Sequence, residues 1–304
     1  MTEAPIAFKT VTLCDKSWVD EIVRAENSPS ADYNFGNIYI WDKHYRQLIA
    51  RQGDRMLTKL RYEGRPAFVF PIGSGPLRPA VELLRAYAAW RGCPLVIRGI
   101  TDRHRELLER EYPGCFRYEL EEKNLDYLYR AERLASYAGK ALHGKKNHCN
   151  RFEAEHDWDF QPLTRDWIPG CLDMLAVWSE ENSSRLDKSV ANEHDAILRA
   201  FAAFERLGLE GGVLRAEGKI VGFSLGEMCA DDTFDVHFEK AQIDMNGAYP
   251  MVCRELSRML LARHPGLVYL NREDDMGFES LRRSKLSYKP EYLLNKYIAR
   301  WSDD

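Results

Sequence analysis

The sequence has no CxxC pair. Its seven cysteines lie far apart, at positions 14, 93, 115, 149, 171, 229 and 253. An odd, scattered set spells out neither a zinc ribbon nor a disulfide framework, so reduced thiols in a cytoplasmic protein are expected. No stretch of about 18 uninterrupted apolar residues occurs, and the first residues lack the basic start and apolar core of a signal peptide. A soluble chain without a transmembrane segment is expected, with peripheral membrane contact left open. Neither sign of charge is in large excess: 43 Lys+Arg stand against 47 Asp+Glu, a net charge of −4. A broad basic field for nucleic acid or anionic lipid is thereby excluded, and any such binding must come from a local patch. Long polar tracts, coiled-coil heptads and a third repeat are missing too, which makes a disordered chain or a scaffold array unattractive.

The composition is that of a globular protein, 45% hydrophobic and 30% charged, and 304 residues suffice for about two domains. Strand and helix patterns alternate. Short strands are expected at residues 6–13 and 94–100, with two more around the Glu63-Gly64 turn. Helices are expected at 17–26, 78–91, 103–112 and 125–138. The second half repeats the order, with a hairpin at 212–228, a strand at 234–241, a helix at 248–263, a strand at 267–270, a helix at 273–283 and an extended end at 292–301. LRYEGR (Leu60 to Arg65) matches LRAEGK (Leu214 to Lys219) about half a chain length apart. EG is a common hairpin turn, but the element order around both copies agrees, so duplication into domains 1–150 and 151–304 is expected, joined near residues 140–160.

In each half a strand leads through a loop into a helix. That succession resembles the GNAT acyltransferase fold, in which the N-terminal amides of such a helix face the pyrophosphate of acyl-CoA. The place in this chain is Gln242 to Tyr249, with Asn246 and Gly247 as candidate phosphate binders. Asp244 stands where the resemblance implies Gln or Arg, and Tyr249 where a small residue belongs. A carboxylate repels phosphate, which counts against acyl-CoA.

A sharper resemblance lies in DYLYRAERLASYAGKALHGKKNHCNRF (Asp126 to Phe152), HFEKA (His237 to Ala241) with GAY (Gly247 to Tyr249), and YLNREDDMGFESLRRSKLSYKPEYLLNKY (Tyr269 to Tyr297). These segments resemble the C-terminal, cytosolic domain of phosphatidylglycerol lysyltransferase, which is built from two GNAT-like units and is related to aminoacyl-tRNA-dependent peptidyltransferases. The resemblance implies an α+β fold of mixed, mainly antiparallel sheets flanked by helices, as two tandem GNAT-like domains. The second would carry the active site and the first would be degenerate.

The same segments supply chemistry. Lys140, Lys145, Lys146 and Arg151 form the densest positive run and could receive phosphates of tRNA, of a lipid headgroup or of CoA, or else be a solvated connector. A Walker A reading of Gly139, Gly144 and Lys145 fails, because Lys146 replaces the magnesium-binding Ser or Thr. Alternation places His237 and Glu239 on one face of a strand and Lys240 on the other. Glu239, His237 or Glu227 could take a proton from an attacking amine, or serve structural roles. Asn271 could cap a helix beginning at NREDD, whose consecutive acids diverge too far to share an ion, so no metal is expected. Arg272, Arg282 and Lys285 could hold a phosphate or carboxylate. Tyr288 occupies the region where many GNAT enzymes place a tyrosine general acid.

The leading expectation is an acyl or aminoacyl transferase acting on an amine or hydroxyl. It requires two neighbouring strands of the C-terminal half to part, opening a slot lined by carboxylate, imidazole and guanidinium groups. Aminoacyl-tRNA is favoured over acyl-CoA as co-substrate, and the acceptor is a small molecule, a peptide or a lipid headgroup. The alternative is a non-catalytic phosphate, lipid-headgroup or RNA-binding protein on a decayed scaffold.

Overall fold

The computed structural model describes residues 3–181 and 188–302. In chain order its elements are β1 (Lys9–Thr10), α1 (Lys16–Glu26), α2 (Phe35–Tyr45), β2 (Leu48–Gln52), β3 (Arg55–Tyr62), β4 (Arg65–Val69), α3 (Leu77–Trp90), β5 (Val96–Ile100), α4 (Asp102–Glu111) and β6 (Phe116–Leu120). They continue as β7 (Asp126–Arg130), α5 (Ala131–Ser136), α6 (His143–Glu155), β8 (Trp158–Pro162), α7 (Ile168–Glu181), α8 (Lys188–Ala202), α9 (Phe204–Leu207) and β9 (Glu210–Ala216). The last are β10 (Lys219–Ala230), β11 (Thr233–Ala241), α10 (Ala248–Arg263), β12 (Tyr269–Asn271), α11 (Glu279–Ser287), β13 (Tyr292–Leu294) and β14 (Tyr297–Trp301).

These elements form two compact units, the first of residues 1–126 and 294–304, the second of residues 127–293. The expected boundary at 150/151 therefore falls inside α6, and the units are not consecutive halves. In unit 1 the sheet order is β1-β2-β3-β4-β5-β14-β6, and the sheet of unit 2 runs β8-β9-β10-β11-β12-β7-β13. Position by position the orders agree. A meander leads into a helix crossover to a parallel strand, β4–α3–β5 in one and β11–α10–β12 in the other. The sixth position of each sheet is filled from the other half of the chain, by β14 in unit 1 and by β7 in unit 2. Sequence pattern missed β7. Tyr127, Leu128 and Tyr129 are all buried, so the strand shows no alternation and its apolar run merged with α5 into one expected helix.

The EG match proves local. Glu63 and Gly64 have φ of 52° and 76°, Glu217 and Gly218 of 48° and 75°, which is the paired positive φ of a tight hairpin turn. The first turn joins the third and fourth strands of its sheet, the second joins the second and third. The two hairpins share turn chemistry and occupy different positions.

In unit 2, α10 buries Met251, Val252, Leu256 and Leu260 in a core with Phe234 and Val236 of β11, Leu270 of β12 and Tyr129 of β7. Each such aliphatic side chain contributes roughly 1.5–3 kcal/mol. In unit 1, Lys296, just before β14, is buried with its ammonium 2.7 Å from Asp126 and 3.1 Å from Asp32. Asp126 also accepts from the Ala31 amide at 3.0 Å. Removing the ammonium would leave a buried carboxylate uncompensated. Lys296→Met is expected to cost about 3–5 kcal/mol in unfolding free energy, measured by chemical denaturation; a loss below about 1 kcal/mol would contradict this role.

Candidate active site

β11 and β12 run parallel through three pairs, Thr233↔Tyr269, Phe234↔Leu270 and Asp235↔Asn271. There β12 ends, while β11 continues to Ala241 along β10. The two strands thus part, as expected, and the edge of β11 past Asp235 is left for side chains to line.

A bulge decides which side chains those are. On β10 the step from Leu225 to Gly226 is matched on β11 by the step from Phe238 to Val236, so His237 is an extra residue. A bulge reverses the alternation beyond it and re-aims side chains. Gly226 makes room, since a Cβ there would sit 1.8 Å from the Asp235 carbonyl oxygen. His237 and Glu239, expected on one face, consequently enter separate clusters. A glycine inside an apolar strand was the signal that could have warned of this.

His237 is fully buried, its Nε2 3.2 Å from Glu227 and its Nδ1 3.1 Å from Glu273 and 3.5 Å from Asp235. Burial opposes its charge, but the surrounding carboxylates, Asp235 foremost, raise its pKa well above the usual value. The ring is an imidazolium donating from both nitrogens, and neither it nor Glu227 is free to act as the expected base. Asp235, His237 and Glu273 are also the only three described residues whose ligand atoms gather within 4.8 Å of one another in the manner of a metal site. A cation there would have to displace the imidazolium proton.

Glu239 faces the gap and accepts from Arg272 Nη2 at 2.7 Å. Burial drives its pKa up, against the pull of Arg272, Lys145 and Lys285. The Arg272 guanidinium lies 4.5 Å from the centroid of the Tyr288 ring and 5.5 Å from that of Tyr129. Its buried Nη1 has no hydrogen-bond partner among the described residues. Lys145, on α6, places its ammonium 3.8 Å from the same Tyr288 centroid. Tyr288 is buried, and burial holds its hydroxyl proton well above the usual range. Its face is a platform for two cations.

Several expected binders are engaged elsewhere. NREDD does not begin a helix: α11 starts at Glu279. Glu273, Met276 and Gly277 have φ of 54°, 50° and 80°, and the side chains of Asn271, Asp274 and Asp275 each accept from an amide two residues on. Asx turns of this kind compete with helix. Arg282 is bound to Asp275 at 2.8 Å, and Lys285 donates to the carbonyls of Arg272, Glu273 and Asp274. Both fix the loop that carries Arg272. The basic run is helical rather than a connector: Lys145 turns inward, Lys140 and Lys146 are exposed, and Arg151 pairs with Glu155 at 2.8 Å.

The start of α10 makes a poor phosphate cradle. A Cβ on Gly247, whose φ is 93°, would lie 2.5 Å from the His148 carbonyl oxygen of α6. Asn246 faces His148 Nδ1 at 2.9 Å. The Ala248 amide bonds to Met245, and Pro250 has no amide to offer. In unit 1 the corresponding place is filled. Past the Val69↔Arg98 pair, Phe70 stacks on His104 at 4.0 Å, and Glu26 is held by His104 at 2.9 Å and the Gly73 amide at 2.8 Å.

With this geometry in view, the comparison with known proteins is direct. A family model described as phosphatidylglycerol lysyltransferase, C-terminal, matches residues 24–300. The chain belongs to this family. The lysyltransferase-family chain is 33% identical to a conserved protein of unknown function from Bacteroides thetaiotaomicron, with a TM-score of 0.91 over 98% of this chain and 100% of that one. L-PGS from Bacillus licheniformis is 16% identical and has the same fold, at a TM-score of 0.67 over 98% of this chain and 94% of that one. An uncharacterized protein of Mycoplasmoides gallisepticum is 26% identical over an alignment of 200 residues that covers 60% of this chain and 59% of that protein. The chain thus spans about three fifths of the curated relative it matches. No described helix in this member of the lysyltransferase family is long and apolar enough to cross a membrane.

The His237 cluster has a pH signature. Because the folded-state pKa is raised, its stabilisation is full below the unfolded value of about 6.5 and is lost as pH climbs to the folded value. Denaturation of wild type and His237→Gln from pH 5 to 9 should show the largest gap at the acid end. A gap that grows with pH would refute the imidazolium assignment.

Proposed function

We propose that unit 2 is an aminoacyl or acyl transferase that seats an activated carbonyl where β11 and β12 part and passes it to a hydroxyl or amine acceptor. The observation that carries this reading is the partly unsatisfied guanidinium of Arg272, held by Glu239 in that gap beside Lys145. Such a group favours an oxyanion, the charge that develops when a carbonyl is attacked. Family membership supports the reading. Aminoacyl-tRNA is the favoured donor, because the start of α10 offers few amides to a CoA pyrophosphate, and the exposed Lys140 and Lys146 lie on the segment that carries Lys145. The acceptor is a small molecule, a peptide or a lipid headgroup. Unit 1, with its equivalent place occupied by Phe70, His104 and Glu26, is a degenerate copy arisen by duplication.

Titrating deacylated tRNA and acetyl-CoA separately tests the donor. Salt-dependent tRNA binding, weakened several-fold in Lys140→Ala/Lys146→Ala, is expected. Tight CoA binding without RNA binding would overturn the preference. The Arg272–Glu239 pair within the gap also favours a second reading, a binding protein without turnover. Glu239→Gln separates the two: it should leave ligand binding nearly intact and slow transfer by about tenfold or more if Glu239 holds Arg272 in position, whereas a binder would show the same binding and no transfer in either form.

A further inference from the structure

The partner of Lys145 is an aromatic ring and not an acid. Its ammonium rests on the Tyr288 ring, and no described carboxylate forms an ion pair with it. Arg272 lies over the same ring. With centroid distances of 3.8 and 4.5 Å, the two charges are within about 8 Å of each other. Arg272 is tied to Glu239 and stays charged. Half-buried next to a fixed cation, the lysine is the group that can yield a proton.

We propose that Lys145, and not Glu239 or His237, takes the proton from the attacking acceptor. This role rests on the transferase reading above. As the acceptor oxygen or nitrogen bonds to the donor's carbonyl carbon, its proton passes to the neutral Lys145 Nζ. The bond from that carbon to the donor's ester oxygen then breaks, and the departing oxygen takes the proton from Lys145. The lysine ends neutral, and the net proton moves from acceptor to leaving group.

The groups facing Lys145 fit this assignment. Burial and Arg272 both lower its pKa. Of the neighbours that would favour the ammonium, Cys253 on α10 and Cys149 on its own helix are thiols pushed by burial up to about 11 and about 12, so neither carries charge near neutrality. Glu239 on β11 and the face of the Tyr288 ring remain; Glu239 is spent on Arg272, and the ring face is shared with the Arg272 guanidinium. Tyr288 keeps its hydroxyl proton. Lys285 is turned onto backbone carbonyls.

Lysine side-chain NMR on the full chain, with 13Cε label and assignment by loss of the signal in Lys145→Arg, tests the inference without substrate. Lys145 should titrate below the ordinary lysine value of about 10.4, move up in Arg272→Gln and further down in Glu239→Gln. A midpoint at or above that ordinary value, or one that neither variant moves, overturns the proposal. In the transfer assay with aminoacyl-tRNA, Lys145→Ala and Lys145→Arg should both lose roughly 10²–10⁴-fold in rate with donor binding kept. Full rate in Lys145→Arg would show that only its charge matters and would overturn the base role. If the wild type transfers from no donor, the proposed function falls and the base role with it, whatever the titration shows.

Discussion

His237 is one residue too many for the strand that carries it, and the site of unit 2 follows from that surplus. An antiparallel ladder accommodates an extra residue only by bulging, and a bulge turns the following side chains to the opposite face. Phe234 and Val236 before it, and Ala241 after it, all reach the core under α10, which strict alternation through residue 237 would forbid. Glu239 is carried to the same side, where Arg272 meets it. The imidazole stays behind among Asp235, Glu227 and Glu273. Without Gly226, whose missing Cβ admits the Asp235 carbonyl, this division could not form.

The loop after β12 completes what the bulge begins. Arg272 enters the gap because three Asx turns and three left-handed residues fold the chain back before α11 starts. Lys285 and Arg282 then hold that loop by its carbonyls and by Asp275. These cations are engaged by the protein's own loop. Beside them stand one guanidinium nitrogen without a described partner, one ammonium and the ring between them. A charge run in a sequence does not distinguish the two uses, because Lys145 and Lys146 are adjacent in sequence yet one points inward and the other to solvent.

Each sheet is also completed from afar. β14 closes the sheet of unit 1 and β7 that of unit 2, so neither half of the chain carries all the strands of its own unit. The buried Lys296–Asp126 pair sits where the chain leaves unit 1 and where it returns. Stability of unit 1 therefore depends on residues from both ends of the sequence.

Much of this was legible in the amino acids. The pattern of apolar residues gave α3, α10 and β5 close to their observed bounds, the glycine turns marked both EG hairpins, and the order of elements pointed to two like units. Local chemistry suffices for such features, because helix period and turn geometry are set by residues a few positions apart. The family segments also hold residues that the fold gathers, with Glu239, Arg272, Lys145 and Tyr288 meeting in one place. Tertiary structure alone decided which face His237 took, where α11 began, which strand entered which sheet, and which cations remained unspent. Those outcomes depend on partners far along the chain, as Lys296 is 170 positions from Asp126, and on the space a neighbouring strand leaves. A strand buried on both faces, such as β7, carries no periodic mark of its own, so only the sheet that accepts it shows what it is.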